Sequence, residues 1–300
     1  MNIPAENKRH CFLCGPETPY KILYPERLPL AEYSFAARRN PARIHFRIVK
    51  CNGCGLTFSN LIYSRETISQ LYKDSEFIGE KQIENINRDY GLQFKKNLSV
   101  IKEKNSLLDV GCSSGFFLKT AMDLGFLDVR GVEPGKASVD EAEQFIRDRI
   151  KNEMFSSKLY PPESFDVVSA FQVFDHVLNP KEFLQDIKSV LKKDGVLFAI
   201  NHNIESYMPV LMGEHSPMYD IEHIYLFNKN TMRKLLEQNG FKIIKIENIP
   251  NTYVLEYCLK MFPMPRFLKK TLVAITNKMK LNNVQIRIPA GNMVTIAKKQ

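Results

Sequence analysis

No stretch of this sequence reaches the ~18 consecutive apolar residues that a bilayer-spanning helix requires, so no such helix is expected. The first residues, MNIPAENKRH, carry no apolar signal region, which predicts a cytoplasmic protein. Acid is in short supply: 33 Asp and Glu stand against 42 Lys and Arg, a formal +9. That balance admits an anionic partner, such as a nucleotide-linked sugar, RNA or a phospholipid surface, without choosing among them. The apolar share is ordinary at 44%, and 300 residues suit one core domain of about 200 plus additions.

The chain is organised around Ser106 to Lys119, SLLDVGCSSGFFLK. Leu107, Leu108 and Val110 have the length of a buried strand, interrupted only by Asp109. Five small residues follow, Gly111, Cys112, Ser113, Ser114 and Gly115. Phe117, Leu118, Ala121, Met122 and Leu124 then recur at helical spacing. A tight strand-to-helix turn of this kind lets a ligand approach amide groups at a helix N-terminus. Asp109 supplies an acceptor at the strand's carboxyl end. The dinucleotide pattern G-x-G-x-x-G is not met, because Phe116 stands where its last glycine belongs.

A second strand, Asp128 to Glu133, ends in an acid 24 residues beyond Asp109. A Rossmann-type core places a ribose-binding carboxylate about 20 residues on. Pro134-Gly135 ends that strand, and a helix is expected from Ala137 to about Arg149. Phe165 to Phe171 reads as a buried strand, with Gln172 to His176 at its carboxyl end, the ligand side of an open α/β sheet. Asn179-Pro180 starts a helix. LKKDGVLFAIN gives a turn at Asp194-Gly195 and a fifth strand. Residues 202–228 form a loop-rich insert carrying His202, His215 and His223. NKNTMRKLLEQNGFKIIKIE is a helix and a strand, and GNMVTIAKK is a final antiparallel strand.

Four of the six cysteines form two matched knuckles, Cys11-Phe-Leu-Cys14-Gly and Cys51-Asn-Gly-Cys54-Gly. Two such knuckles offer four thiolates in a tetrahedron, which suits structural Zn²⁺ with no open position. Disulfides are unusual in a cytoplasmic chain, and a redox pair does not account for two knuckles. Ile44 to Cys51 reads as a strand leading into the second. The basic run Arg38 to Arg43 is a solvated loop or a contact for an anionic substrate. Helices are expected from Ser64, its N-cap, and over Ile83 to Lys102. Tyr72 and Tyr90 on them pack or touch a cofactor.

The Asp-x-Gly-x-(Gly/Ser)-x-Gly turn, with SFDVV, FQVFDHV and LKKDGVLF, resembles the motifs of class I S-adenosylmethionine-dependent methyltransferases. Ser113 replaces the usual middle glycine. With its cysteine module, the whole chain resembles bacterial members found among surface-polysaccharide and sugar-modifying enzymes. The resemblance implies an α/β fold: a Rossmann-like seven-stranded sheet with helices on both faces, plus a small zinc-knuckle module. The expected division is a zinc module over 1–62, a helical connector over 63–104 and a core over 105–300 with inserts at 202–228 and 254–288. It implies S-adenosylmethionine held by Asp109, Gly111, Cys112, Ser113, Gly115, Glu133, Pro134 and Gln172, and zinc held by Cys11, Cys14, Cys51 and Cys54.

The expected activity is methyl transfer to a small-molecule acceptor, a sugar or glycan-linked substrate, with His176, His202 and His223 as candidate bases. His10 and His45 are expected to stay with the zinc module. An RNA-modifying methyltransferase and a non-catalytic S-adenosylmethionine-binding protein are the alternatives. Against the first, the Asn-Pro-Pro-Tyr type motif of base N-methylation is absent. The segment Arg266 to Lys280 is expected to be a basic amphipathic helix, either packing on the domain or meeting a membrane or lipid-linked substrate.

Overall fold

The computed structural model describes residues 8–28, 35–37, 44–77, 81–262, 264–281 and 283–300. The basic run 38–43 lies outside the described residues. The chain begins with β1 (Tyr20–Tyr24), β2 (Ala36–Ala37), β3 (Ile48–Cys51) and β4 (Thr57–Ser59). α1 (Arg65–Lys73), β5 (Glu76–Phe77) and α2 (Lys81–Lys96) follow. Next come β6 (Ser106–Val110), α3 (Phe116–Asp123), β7 (Asp128–Val132), α4 (Lys136–Asp140), α5 (Gln144–Arg147) and β8 (Ile150–Lys151). β9 (Phe165–Phe171), α6 (Pro180–Val190), β10 (Leu191–His202), α7 (Tyr207–Met212) and β11 (Tyr225–Leu226) lead to α8 (Lys229–Gln238). β12 (Phe241–Val254), α9 (Leu255–Met261), α10 (Arg266–Lys278) and β13 (Gln285–Lys299) complete it.

Seven strands form one sheet in the order β8-β7-β6-β9-β10-β13-β12. The first five run parallel, and β13 enters antiparallel between β10 and β12. The period-two geometry of a strand sends alternate side chains to opposite faces. Leu108, Val110, Val168, Ala170, Leu197 and Ala199 meet Phe183 and Leu184 of α6 and Met232 and Leu235 of α8. Leu107, Val167, Phe171 and Phe198 meet Tyr90 and Phe94 of α2 and Phe117 and Leu118 of α3. Each large side chain buried this way contributes roughly 1.5–3 kcal/mol. The expected Rossmann-like sheet, covered on both faces, is therefore present. Among the described residues no helix is long and apolar enough to cross a membrane.

Local chemistry sets the helix starts. Ser64 accepts from the Thr67 amide at 3.1 Å, Asn179 caps α6 with Pro180 in its first turn, and Asn228 and Thr231 form a reciprocal capping box on α8.

Several elements differ from expectation. The helix expected over Ala137 to Arg149 is two short ones, α4 and α5, because Glu143 is extended (φ −55°, ψ 142°). The break lets both Ala142 and Ile146 be buried, and the Arg147 guanidinium caps the Ala142 carbonyl at 3.0 Å. The helix expected to reach Lys102 stops at Lys96, where the Asn97 side chain donates to the Gln93 carbonyl at 2.7 Å. The strand expected from Ile44 starts at Ile48, with His45 making only an isolated bridge to Arg27. The Asp194 turn sits inside β10 as a left-handed residue (φ 65°), where pairing with β9 shifts register.

The insert 202–228 departs furthest. Its β11 pairs antiparallel with β4, completing a second sheet in the order β1-β3-β4-β11. The edge strand of the cysteine module thus comes from the insert, far along the chain from β4. The Ile224 carbonyl accepts from the Ser59 amide at 2.8 Å, and the Ile224 amide donates to the Asp175 carbonyl at 2.7 Å. This short path ties the module to the loop after β9.

Candidate functional site

The turn after β6 is built on left-handed backbone at Gly111 (φ 71°), Ser113 (φ 51°) and Gly115 (φ 74°). A Cβ at Gly111 would lie 2.6 Å from Val173 Cγ2, and one at Gly115 would lie 2.3 Å from Ile146 Cγ2. Both positions therefore require glycine on conformation and on space. Ser113 adopts the same region at a cost of roughly 1–2 kcal/mol. Its amide donates to Glu133 Oε2 at 2.9 Å, which offsets part of that cost. Glu133 Oε1 accepts from the Gly135 amide at 2.8 Å. Burial pushes the Glu133 carboxyl up, against the pull of these two amides.

Gly111, Ser113, Glu133, Pro134 and Gln172 line one cavity of about 800 Å³, together with His176, His202 and His223. Asp109, Cys112 and Gly115, expected to touch a ligand, lie behind the turn instead. Asp109 is 2% exposed and its Oδ1 accepts from the Ser169 hydroxyl at 2.6 Å. Burial raises its carboxyl to about 7, with the Ser169 bond working against the rise. The strand end had to be enclosed for the sheet to close on both faces, and this placed the carboxylate inside. Gln172 is left-handed (φ 57°), a conformation held at a cost typical of functional sites. Its Nε2 donates to the Tyr90 hydroxyl at 2.7 Å, while its buried Oε1 has no partner among the described residues.

The three histidines form a chain, with ring centroids 4.9 Å apart for His176 and His223 and 5.1 Å for His202 and His223. Each has Nδ1 against an oxygen: Glu222 O at 3.0 Å for His176, Asn292 Oδ1 at 2.9 Å for His202 and Met218 O at 2.9 Å for His223. A carbonyl only accepts, so His176 and His223 donate from Nδ1. The Asn292 amide nitrogen donates to Asn251 Oδ1 at 2.9 Å, which turns its oxygen to His202. In the neutral form all three therefore carry the lone pair on Nε2. Burial first, and then a neighbouring histidine, lowers His176 to about 4 and His202 to about 3. Both are neutral at pH 7. His10 and His45 stay with the cysteine module, and His45 Nε2 meets Glu214 at 3.2 Å.

The sulfurs of Cys11, Cys14, Cys51 and Cys54 all lie within 4.8 Å of one another. Four sulfurs about 2.3 Å from a central ion fit this cluster. Among the described residues it is the one group of three or more His, Cys, Asp or Glu close enough to hold a metal. Lys234 of α8 donates to Cys14 Sγ at 3.8 Å, setting a positive charge beside a site that zinc would leave net negative. Cys112 is buried in the core and Cys258 lies by the cavity, both away from the tetrad.

Several contacts in and behind the site are set only by the fold. Asp175 is fully buried, and burial lifts its carboxyl to about 8. Its Oδ2 accepts from the His202 amide at 3.3 Å. Nothing in the pattern FQVFDHV distinguishes this acid from a surface one; the signal is tertiary. Tyr72, weighed as packing or contact, meets His176 Nδ1 at 2.9 Å through its hydroxyl. Met208, Met212, Tyr253 and Tyr257 add an apolar wall from distant elements.

Residues 79–246 match the family described as methyltransferase domain. A ubiquinone biosynthesis O-methyltransferase of Actinobacillus pleuropneumoniae serotype 5b (strain L20) is 32% identical over 123 residues, 36% of this chain and 50% of that protein. One of Aliivibrio fischeri (strain MJ11) is 25% identical over 182 residues, 56% of this chain and 76% of that protein. The first of these matches is representative: the chain spans about half the length (50%) of the curated relatives at that level. The BH2331 protein of Bacillus halodurans C-125 superposes with a TM-score of 0.50 at 19% identity, over 69% of this chain and 99% of that one, a likeness of fold alone.

Proposed function

The chain belongs to the methyltransferase domain family, and from that premise we propose that it transfers a methyl group from S-adenosylmethionine to a hydroxyl of a small-molecule acceptor. The observation that carries the reading is the cavity itself. It joins the glycine turn and Glu133 at one end to three histidines of one tautomer at the other. The residues fit the cofactor by their chemistry. Gly111 leaves main chain bare where a Cβ would collide. Gln172 keeps a buried acceptor with no partner among the described residues. Glu133 is a carboxylate suited to a pair of ribose hydroxyls. Pro134 and Ser113 complete that end of the wall, and Asp109, Cys112 and Gly115 hold the turn in shape from behind.

When bound, the cofactor supplies an electrophilic methyl on a sulfonium. The chain's own part is to orient the acceptor and take its proton. A neutral imidazole with its lone pair on Nε2 accepts a proton from a hydroxyl as that oxygen attacks. His176 is held by Glu222 and Tyr72, and His202 by Asn292, so neither ring has to reorient. At about 4 and about 3, both are weak bases in the resting site. Most of the rate is therefore assigned to positioning.

We keep a sugar or glycan-linked hydroxyl as the first acceptor class. The named O-methyltransferase relatives support oxygen as the atom methylated, and the methionine and tyrosine wall supports an acceptor with an apolar body. The cysteine tetrad holds a structural zinc in this reading, and residues 1–62, 63–104 and 105–300 act as module, connector and core. Calorimetric titration with S-adenosylmethionine, S-adenosylhomocysteine and NAD tests the proposal. The first two should bind and NAD should not; binding of neither sulfur compound would overturn it.

A further inference from the structure

Two helices each carry several large apolar side chains in solvent. Tyr207, Val210 and Leu211 of α7 are 79%, 69% and 70% exposed, and Phe267 of α10 is 74% exposed. The opposite side of α7 is apolar as well, because Met208, Pro209 and Met212 line the cavity. A helix apolar all round is ordinarily buried, and an exposed apolar patch marks an interaction surface. On α10, Phe267, Ile275 and Met279 recur along one exposed stripe. α9 lines the same cavity through Tyr257 and Met261, and α10 packs on α9. α7 and α9 therefore border one cavity, and α10 stands on α9 beside it.

Charge says what covers them. From Arg266 to Lys280, α10 and the two residues after it, the chain has five Lys and Arg and no Asp or Glu. Lys270 and Lys278 are exposed beside the apolar stripe of α10. A second copy of the chain would bring like charges together. An anionic lipid surface matches both features: rings and aliphatic chains enter the headgroup boundary while ammonium groups meet phosphates.

We infer that α7 and α10 form a docking surface for an anionic phospholipid bilayer, through which an amphiphilic acceptor reaches the cavity. The clause about the acceptor rests on the methyltransferase reading; the docking surface does not.

Vesicle flotation tests it, with phosphatidylcholine alone and with phosphatidylcholine plus phosphatidylglycerol. The protein should float with the anionic vesicles only, and less as salt rises, since exposed charges are screened over roughly 8 Å at physiological ionic strength. Leu211→Asp with Phe267→Asp, and separately Lys270→Glu with Lys278→Glu, should each weaken binding roughly tenfold or more. All four side chains are exposed, so the fold should survive, and circular dichroism melts check that it does. Equal binding to neutral vesicles, or variants that bind like the parent, would overturn the inference. So would a concentration-dependent dimer broken by Phe267→Asp without any flotation. S-adenosylhomocysteine titration of the same preparations keeps the two readings apart. Cofactor binding without flotation sinks the docking surface alone. Flotation without cofactor binding sinks the methyltransferase reading and leaves the docking surface standing.

Discussion

Replacing Glu133 tests the cofactor end of the cavity most directly. A carboxylate accepting both ribose hydroxyls makes two charge-assisted bonds worth roughly 1.5–3 kcal/mol each. Glu133→Ala should therefore weaken S-adenosylhomocysteine at least tenfold, since about 1.4 kcal/mol is a factor of ten. The carboxylate also holds the turn, because its oxygens take the Ser113 and Gly135 amides at 2.9 and 2.8 Å. Alanine strands both donors, at about 1–3 kcal/mol for each that water cannot reach. It also removes a carboxylate that burial disfavours. The two changes oppose each other, so the free protein should lose less stability than the complex loses affinity. Glu133→Gln keeps one oxygen to accept an amide but turns an NH₂ group toward the other donor. Its affinity should fall by a similar factor. Calorimetry reads the affinity and thermal melts read the stability. Unchanged affinity in both variants would place the ribose elsewhere.

Metal analysis should find one Zn²⁺ per chain and lost metal in Cys51→Ser; full occupancy there would refute the tetrad. Because β11 pairs with β4, zinc removal should also speed hydrogen exchange across 202–228, and unchanged exchange would uncouple module from insert. His176→Ala and His223→Ala should lose about 10²–10⁴-fold in turnover, on an acceptor that supports it, with cofactor affinity barely moved. Full turnover in both would leave positioning alone. Stability should fall as pH rises from 6.5 toward 8. Asp109 and Asp175 bind protons in the folded chain up to about 7 and about 8, against an ordinary 3.8, so the folded state is the more protonated one in that window. Below 6.5, His176 and His202 oppose this, because they are neutral when folded and protonated when unfolded. Asp175→Asn should flatten the fall in urea midpoint above pH 6.5, and a parent protein whose midpoint rises there would show the carboxyls ionised.

Local features of the chain determined much of this molecule. Short, nearly continuous apolar runs in 107–110 and 165–171 placed strands where both faces are covered. Capping residues at 64, 179 and 228 set helix starts. Paired cysteines two residues apart marked a metal site, because that chemistry is carried by near neighbours. The glycines of the turn and the acid at 133 were legible for the same reason. What needed the folded chain were relations across long separations. Asp175 reads as an ordinary acid until the insert closes over it. β11 lies 166 positions beyond the Ser59 end of the strand it pairs with when counted from Tyr225, and no local pattern announces that pairing. Asp109 marks the strand's end in sequence, yet burial there turns its oxygen to Ser169 and away from the cavity. Periodicity and spacing report on neighbours in the chain; burial and the direction of a side chain's bonds depend on what arrives from elsewhere.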